Sequence, residues 1–259
     1  MVQVWFWVKG ELQDFLAQSH REQPIQLDVP ADQTIKHVVE HHLGIPHPEV
    51  AQITLEGYPV NWRALPRDGA TYVLHPYPPG GAWPHDEPPA FVLDGHLGRL
   101  AAYLRLLGYD VLYSSNWDDA TLAGYASQGR VLLTRDQGLL KRRAVKGGYW
   151  VRALEPEQQL AEVVQRYALW RWAKPFSRCP QCNTRVHRVP VTSVAERVPA
   201  DVRETHTEVH RCPSCGRIYW RGSHVERLLA LFRRVRALPP THQTQNQGRE
   251  PQDEPDQSP

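Results

Sequence analysis

All four cysteines of the chain fall in two Cys-x-x-Cys pairs, Cys179/Cys182 and Cys212/Cys215, with 29 residues between the pairs. Each pair sits among turn-forming residues, in Cys179-Pro180-Gln181-Cys182-Asn183 and Cys212-Pro213-Ser214-Cys215-Gly216. Two tight turns that each offer two thiolates can surround one tetrahedral ion, and this ligand set selects zinc. Disulfides are the weaker alternative, because a cytosolic chain with no further cysteine has little use for two of them. Four thiolates leave no open coordination position, so such a zinc organises the fold and does not hydrolyse anything. The pattern predicts a zinc ribbon over 173–236.

The rest of the chain divides by charge. Residues 1–80 carry 5 Lys/Arg against 9 Asp/Glu, whereas residues 90–236 carry 24 against 13. A region with that basic excess points to a polyanion, most plausibly nucleic acid, since neutralised phosphates release their counterions. No apolar run approaches the ~20 residues that span a bilayer. The N-terminus, Met1-Val2-Gln3-Val4-Trp5, lacks the basic and apolar regions of a signal peptide, so the expected setting is cytoplasmic, without a membrane.

Residues 1–77 read as a small α+β unit. Val2–Val8 is apolar and aromatic, and Ile25, Leu27 and Val29 alternate at period two. Pro30–Thr34 leads into a helix with Ile35, Val38, Val39 and His42 expected on one face, and strands are expected near 50–55 and 71–75. This order resembles the β-grasp, ubiquitin-like fold. Pro66-Arg67-Asp68-Gly69-Ala70-Thr71-Tyr72-Val73 resembles the last turn and strand of its sulfur-carrier branch. That branch ends in a free Gly-Gly, whereas Gly80-Gly81 is internal here, which favours a turn or linker role. Residues 78–90 are Pro- and Gly-rich and form the expected linker. The stretch 237–259, rich in Gln, Pro and acids, is expected to be disordered.

Residues 91–172 alternate strands and helices, which implies a parallel sheet with both faces covered. Phe91–Leu93 ends at Asp94, and Val131–Thr134 ends at Arg135-Asp136. Ligands of open α/β sheets gather at that carboxyl edge. Asp118 or Asp119 begins a helix after the second strand and can approach the same edge. Clustered carboxylates favour magnesium or manganese, and two such ions about 4 Å apart can activate water and stabilise a leaving oxygen. Helix capping is the competing use for each of these aspartates.

Longer motifs carry a resemblance. The stretch from Phe91-Val92-Leu93-Asp94-Gly95-His96-Leu97-Gly98-Arg99-Leu100 to Gly108-Tyr109-Asp110, then Asp119-Ala120-Thr121-Leu122, Leu132-Leu133-Thr134-Arg135-Asp136, Ser177–Asn183 and Arg211–His224, resembles the Mut-seven C-terminal ribonuclease family. That family is a PIN-like nuclease with an attached zinc ribbon, and its bacterial members include forms with an N-terminal ubiquitin-like domain. The resemblance implies a metal-dependent ribonuclease in which Asp94, Asp119 and Asp136, with Asp118 as a substitute for Asp119, hold magnesium or manganese. Cleavage would leave 5′-phosphate and 3′-hydroxyl ends.

Arg99, Arg135, Lys141 and Arg142 are expected at phosphates near this edge; Arg105 and Arg143 are equally compatible with solvated helix faces. Around the cysteines, Arg221 and Trp220 suit single-stranded or tRNA-like RNA, although Tyr219 and Trp220 can instead pack the ribbon onto its neighbour. His224 can reach the active site or cap a helix. The acidic N-terminal unit is expected to bind a protein partner or to fold back over the basic surface. Two other readings are a non-catalytic RNA-binding protein acting in RNA maturation or on ribosomes, and a ubiquitin-like scaffold. The first is favoured by Gln137 and the basic Lys141-Arg142-Arg143, where PIN nucleases usually show a fourth acidic or polar position.

Overall fold

The alternating burial of Val4, Phe6 and Val8 along the first strand sets the pattern of the N-terminal unit: every second side chain enters a core. In the computed structural model, which describes residues 1–238, strands β1 (Val2–Val8), β2 (Ile25–Val29), β3 (Val50–Leu55), β4 (Tyr58–Pro59) and β5 (Thr71–Pro76) form one sheet in the order β2-β1-β5-β3-β4. The β1–β5 pairing is parallel and the others antiparallel, the arrangement of a β-grasp fold. Thr34 caps helix α1 (Ile35–His37), which continues as a π-helical turn, Val38–His42. Ile35, Val38 and Val39 are buried beneath the sheet; His42 is exposed and lies off that face.

The second sheet comprises β6 (Phe91–Leu93), β7 (Val111–Tyr113), β8 (Val131–Thr134) and β9 (Gly148–Trp150), all parallel, in the order β7-β6-β8-β9. Phe91 and Leu93 face a core shared with α2 (Gly98–Leu106) and α5 (Pro156–Arg166), whereas Val92 and Leu132 face α3 (Asp119–Ser127) and α4 (Gln137–Leu140). Both faces are thus covered, which explains the unbroken apolar character of these short strands. Gly108 ends the α2 turn at φ +100°, and a Cβ there would stand 2.6 Å from the Lys174 carbonyl, so the position accepts only glycine.

The ribbon strands β10 (His187–Pro190), β11 (Glu208–Arg211) and β12 (Ile218–Tyr219) form an antiparallel sheet, with α6 (Ala200–Thr205) between β10 and β11. Five valines, 191, 194, 198, 202 and 209, make its small core. The last helix, α7 (Ser223–Ala237), lies within the expected ribbon span but gives Leu231, Phe232 and Val235 to the core of the parallel sheet. The side chain of His224 and the greater part of the stretch expected to be disordered, 239–259, lie outside the described residues.

The linker is pinned to α5. Gly80 N donates to the Gln165 carbonyl and Ala82 N to that of Arg166. Gly80 adopts φ +74° and Gly81 closes a turn onto Pro78, so both glycines serve the path of the chain. The acidic N-terminal unit docks on the parallel sheet. Glu49, fully buried, lies 3.3 Å from Arg166 and 3.8 Å from Arg152, while Asp14 pairs with Arg152 and Glu11 with Arg166. No helix among the described residues is long and apolar enough to cross a membrane.

Candidate functional site

Asp94 leaves β6 at the carboxyl edge of the parallel sheet and is almost fully buried. Its Oδ1 accepts from His96 N at 2.9 Å, and its Oδ2 accepts from Arg135 N at 2.9 Å and from the Thr134 hydroxyl. Thr134 Oγ1 in turn accepts from Asp136 N at 2.9 Å. One hydroxyl at the end of β8 therefore ties together the two strand-end aspartates. Thr134 carried a signal that residue-type scanning passes over, because its β-branch fits a strand and its hydroxyl points along the edge.

Asp136 caps α4, its Oδ1 accepting from Gly138 N at 2.7 Å and Leu139 N at 3.3 Å. Oδ2 receives no hydrogen bond from the described residues, and the side chain is exposed. Asp118 caps α3 through Thr121 N at 2.8 Å, and that hydrogen bonding holds its carboxyl below the usual range. Asp119 begins the helix and pairs with Arg142 at 2.9 Å. Thus Asp94 and Asp136 are joined through Thr134, and Asp119 is joined to the end of α4 through Arg142. Among the described residues, the three aspartates do not form a group with all ligand atoms within 4.8 Å; the four cysteines do.

Of the basic residues expected at phosphates, Arg99 is exposed, Arg135 donates to the Ala153 carbonyl, and Arg142 is engaged by Asp119. Lys141 is half-buried at the end of α4, and Arg143 is exposed. Arg105 serves neither alternative considered for it. It is buried, donating to the Val111, Pro180 and Gln181 carbonyls, so it fastens the first cysteine turn to β7. Its stem reads in sequence as an ordinary helix-face cation, and only the tertiary neighbours reveal its use.

The cysteine centre is built from two matching turns. Asn183 N donates to the Cys179 carbonyl at 2.9 Å, and Gly216 N to the Cys212 carbonyl at 3.0 Å. Asn183 and Gly216 stand at equivalent places with φ +67° and +71°, a conformation that asparagine and glycine tolerate best. Sγ atoms of Cys179 and Cys215 lie 3.6 Å apart, and those of Cys182 and Cys212 3.4 Å apart. Burial opposes ionisation of Cys182, yet hydrogen bonding with Thr184 and the neighbouring thiols draws it down to about 6. Four convergent cysteines with no disulfide among them fit a zinc ion.

Asn183 also locks the ribbon to the sheet, its Oδ1 accepting from Val111 N and its Nδ2 donating to Asp110 at 2.8 Å. Asp110 is further held by Arg130 at 3.1 Å. Trp220, half-buried, packs with Ile218 against the valine core of the ribbon, and Arg221 pairs with Glu226.

The chain thus joins a β-grasp unit to a parallel α/β sheet with aspartates at its carboxyl edge and to a four-cysteine ribbon. The Mut7-C RNAse domain model matches residues 89–232, and the Mut7-C ubiquitin model matches residues 1–79. The chain belongs to the Mut7-C RNAse family and carries its ubiquitin-like domain. No curated protein and no solved structure gives a significant match to it. The family assigns the chain to RNA chemistry, and the four cysteines can hold a zinc ion.

Proposed function

We propose that the chain is a metal-dependent ribonuclease that hydrolyses phosphodiester bonds at the carboxyl edge of the parallel sheet. The observation that carries this reading is the Asp94–Thr134–Asp136 linkage, within a chain of the Mut7-C RNAse family. Asp94, Asp119 and Asp136 would hold magnesium or manganese, which supplies Lewis acidity and an activated water when bound. Buried Asp94 is oriented by three donors, and its fixed position sets the geometry of the edge. Asp136 presents Oδ2 outward while the α4 amides hold Oδ1. The exposed Arg99 and half-buried Lys141 are suited to the phosphates on either side. The domain divisions 1–77, 78–90, 91–172 and 173–236 form part of this reading, as does structural zinc on Cys179, Cys182, Cys212 and Cys215.

The Asp119–Arg142 pair favours a second reading, in which RNA is bound without being cut, because a carboxylate engaged by a guanidinium is less available to a metal ion. One assay separates the two: cleavage of labelled single-stranded RNA and tRNA by purified protein in manganese, beside an Asp136→Asn variant. Metal-dependent cleavage lost in the variant is the expected result. RNA binding with no cleavage by either protein would transfer the assignment to the binding reading.

A further inference from the structure

The ribbon and α7 enclose an open cleft of about 690 Å³, away from the aspartates. Its walls include three aromatic side chains, Phe176, Tyr219 and Trp220, and three guanidinium groups, Arg178, Arg188 and Arg221, with no carboxylate among the described lining residues. Leu106, at the far end of α2, also lines it. The nine residues of α2 lead there from the Asp94 turn, placing the cleft roughly 13 Å along that helix from the carboxylate edge.

The aromatic walls are held in place before any ligand arrives. Tyr219 Oη lies 2.9 Å from Cys179 Sγ, which fixes the ring on the cysteine centre. Phe176 adopts φ +62°, an unfavourable conformation for a bulky residue, and its N–H is bonded to the Leu106 carbonyl at 2.7 Å. Strain of that kind persists where the surroundings over-determine it, and it concentrates at ligand clamps. Arg178 is held by the Gly108 and Asn183 carbonyls, at 3.2 and 2.9 Å, but the other two cations are only loosely engaged. Arg188 lies 3.8 Å from Glu208 and Arg221 3.1 Å from Glu226, and all four side chains are more than half exposed. Such pairs contribute little and exchange readily for phosphate oxygens.

We propose that this cleft takes an unpaired nucleobase of the RNA strand between its aromatic walls, with the flanking phosphates on Arg188 and Arg221. The proposal rests on the ribonuclease reading and adds an anchoring subsite to it. An acidic peptide would satisfy the guanidinium groups but would leave the aromatic walls unused. Stacked bases use both, and stacking tolerates any base because each has a π face. The strand must then be unpaired at a position remote from the bond to be cut.

The test uses the full chain with zinc bound, in the Asp136→Asn background, and a 12-nucleotide single-stranded RNA carrying 5-iodouridine. Photocross-links are expected on peptides containing Phe176, Tyr219 or Trp220. Arg188→Glu combined with Arg221→Glu should weaken Kd about tenfold, because two phosphate contacts are lost to like charges, with zinc content and Tm unchanged. A duplex of equal length should bind more weakly. Cross-links confined to other regions, an unchanged Kd in the double variant, or displacement of RNA by polyglutamate of equal charge would overturn the proposal. Absence of cleavage by the wild type, with cross-links still in the cleft, would sink the ribonuclease reading and leave the subsite standing.

Discussion

Glu49, from the ubiquitin-like unit, places Oε1 2.6 Å from the backbone N of Trp150, at the outer edge of the parallel sheet. Strand β9 is the last in the order β7-β6-β8-β9, so its outward amide has no strand partner. A side-chain carboxylate from another domain supplies the missing acceptor. The same carboxylate lies beside Arg166 and Arg152, and burial pushes it up against the opposing pull of those two guanidiniums. The ubiquitin-like unit therefore completes the sheet edge and is joined to it by buried charges.

Glu49→Ala should consequently destabilise the whole chain by about 3 kcal/mol, because it orphans Trp150 N and removes the buried carboxylate shared by Arg152 and Arg166, which keep only Asp14 and Glu11 as acidic partners. Glu49→Gln should cost less, since an amide oxygen can still accept from Trp150 N. Denaturant unfolding monitored at both domains would check this, with both transitions expected to move together. A shift confined to residues 1–79 would show that the docking contributes little.

How much of this was visible in the sequence depended on whether a feature is local. The strand ends at Asp94 and Asp136 were legible because an apolar run, an aspartate and a helix follow one another within a few residues. The cysteine turns were legible for the same reason. Glu49, Arg105 and Asn183 were not, because each acts on residues far along the chain: Trp150, Pro180 and Val111. Helix α7 shows the same limit, since its amphipathic pattern does not say whether it covers the ribbon or, as observed, the parallel sheet.

Zinc removal is expected to unfold the ribbon and leave the parallel sheet folded. The ribbon has only five buried valines, too small a core to stand without its metal, whereas the sheet has two apolar cores. Chelation should release one zinc per chain, and hydrogen exchange should accelerate at β10–β12 before it does at β6 and β8. Cys212→Ser should reproduce that pattern. Equal protection of the ribbon with and without chelator would contradict it.

Asp110 makes ribbon docking sensitive to acid. Burial raises its carboxyl pKa, but hydrogen bonds from Arg130 and Asn183 outweigh that and hold it below the ordinary value near 3.9. A depressed folded-state pKa contributes stability that is present above the unfolded value and is lost as pH falls through the folded one. Docking should thus be constant from neutral pH to about 4 and weaken below it. The effect should be modest, since the side chain is 36% exposed. Urea unfolding of Asp110→Asn against pH should show a flatter acid limb than wild type; identical limbs would remove Asp110 from the account.

Thr134 offers the sharpest separation of stability from activity at the carboxylate edge. Its hydroxyl donates to Asp94 and accepts from Asp136 N, and it is fully buried. Thr134→Val keeps the shape and removes both bonds, at a cost of about 1–3 kcal/mol for the polar groups left unpaired. On the ribonuclease reading, kcat should fall by more than the loss of folded protein accounts for, because the spacing of Asp94 and Asp136 is no longer held. Thr134→Ser restores the hydroxyl and should recover most of the rate even though it lacks the methyl group. A rate that follows folded fraction alone in both variants would make Thr134 a packing residue and would deprive the edge of its positioning device.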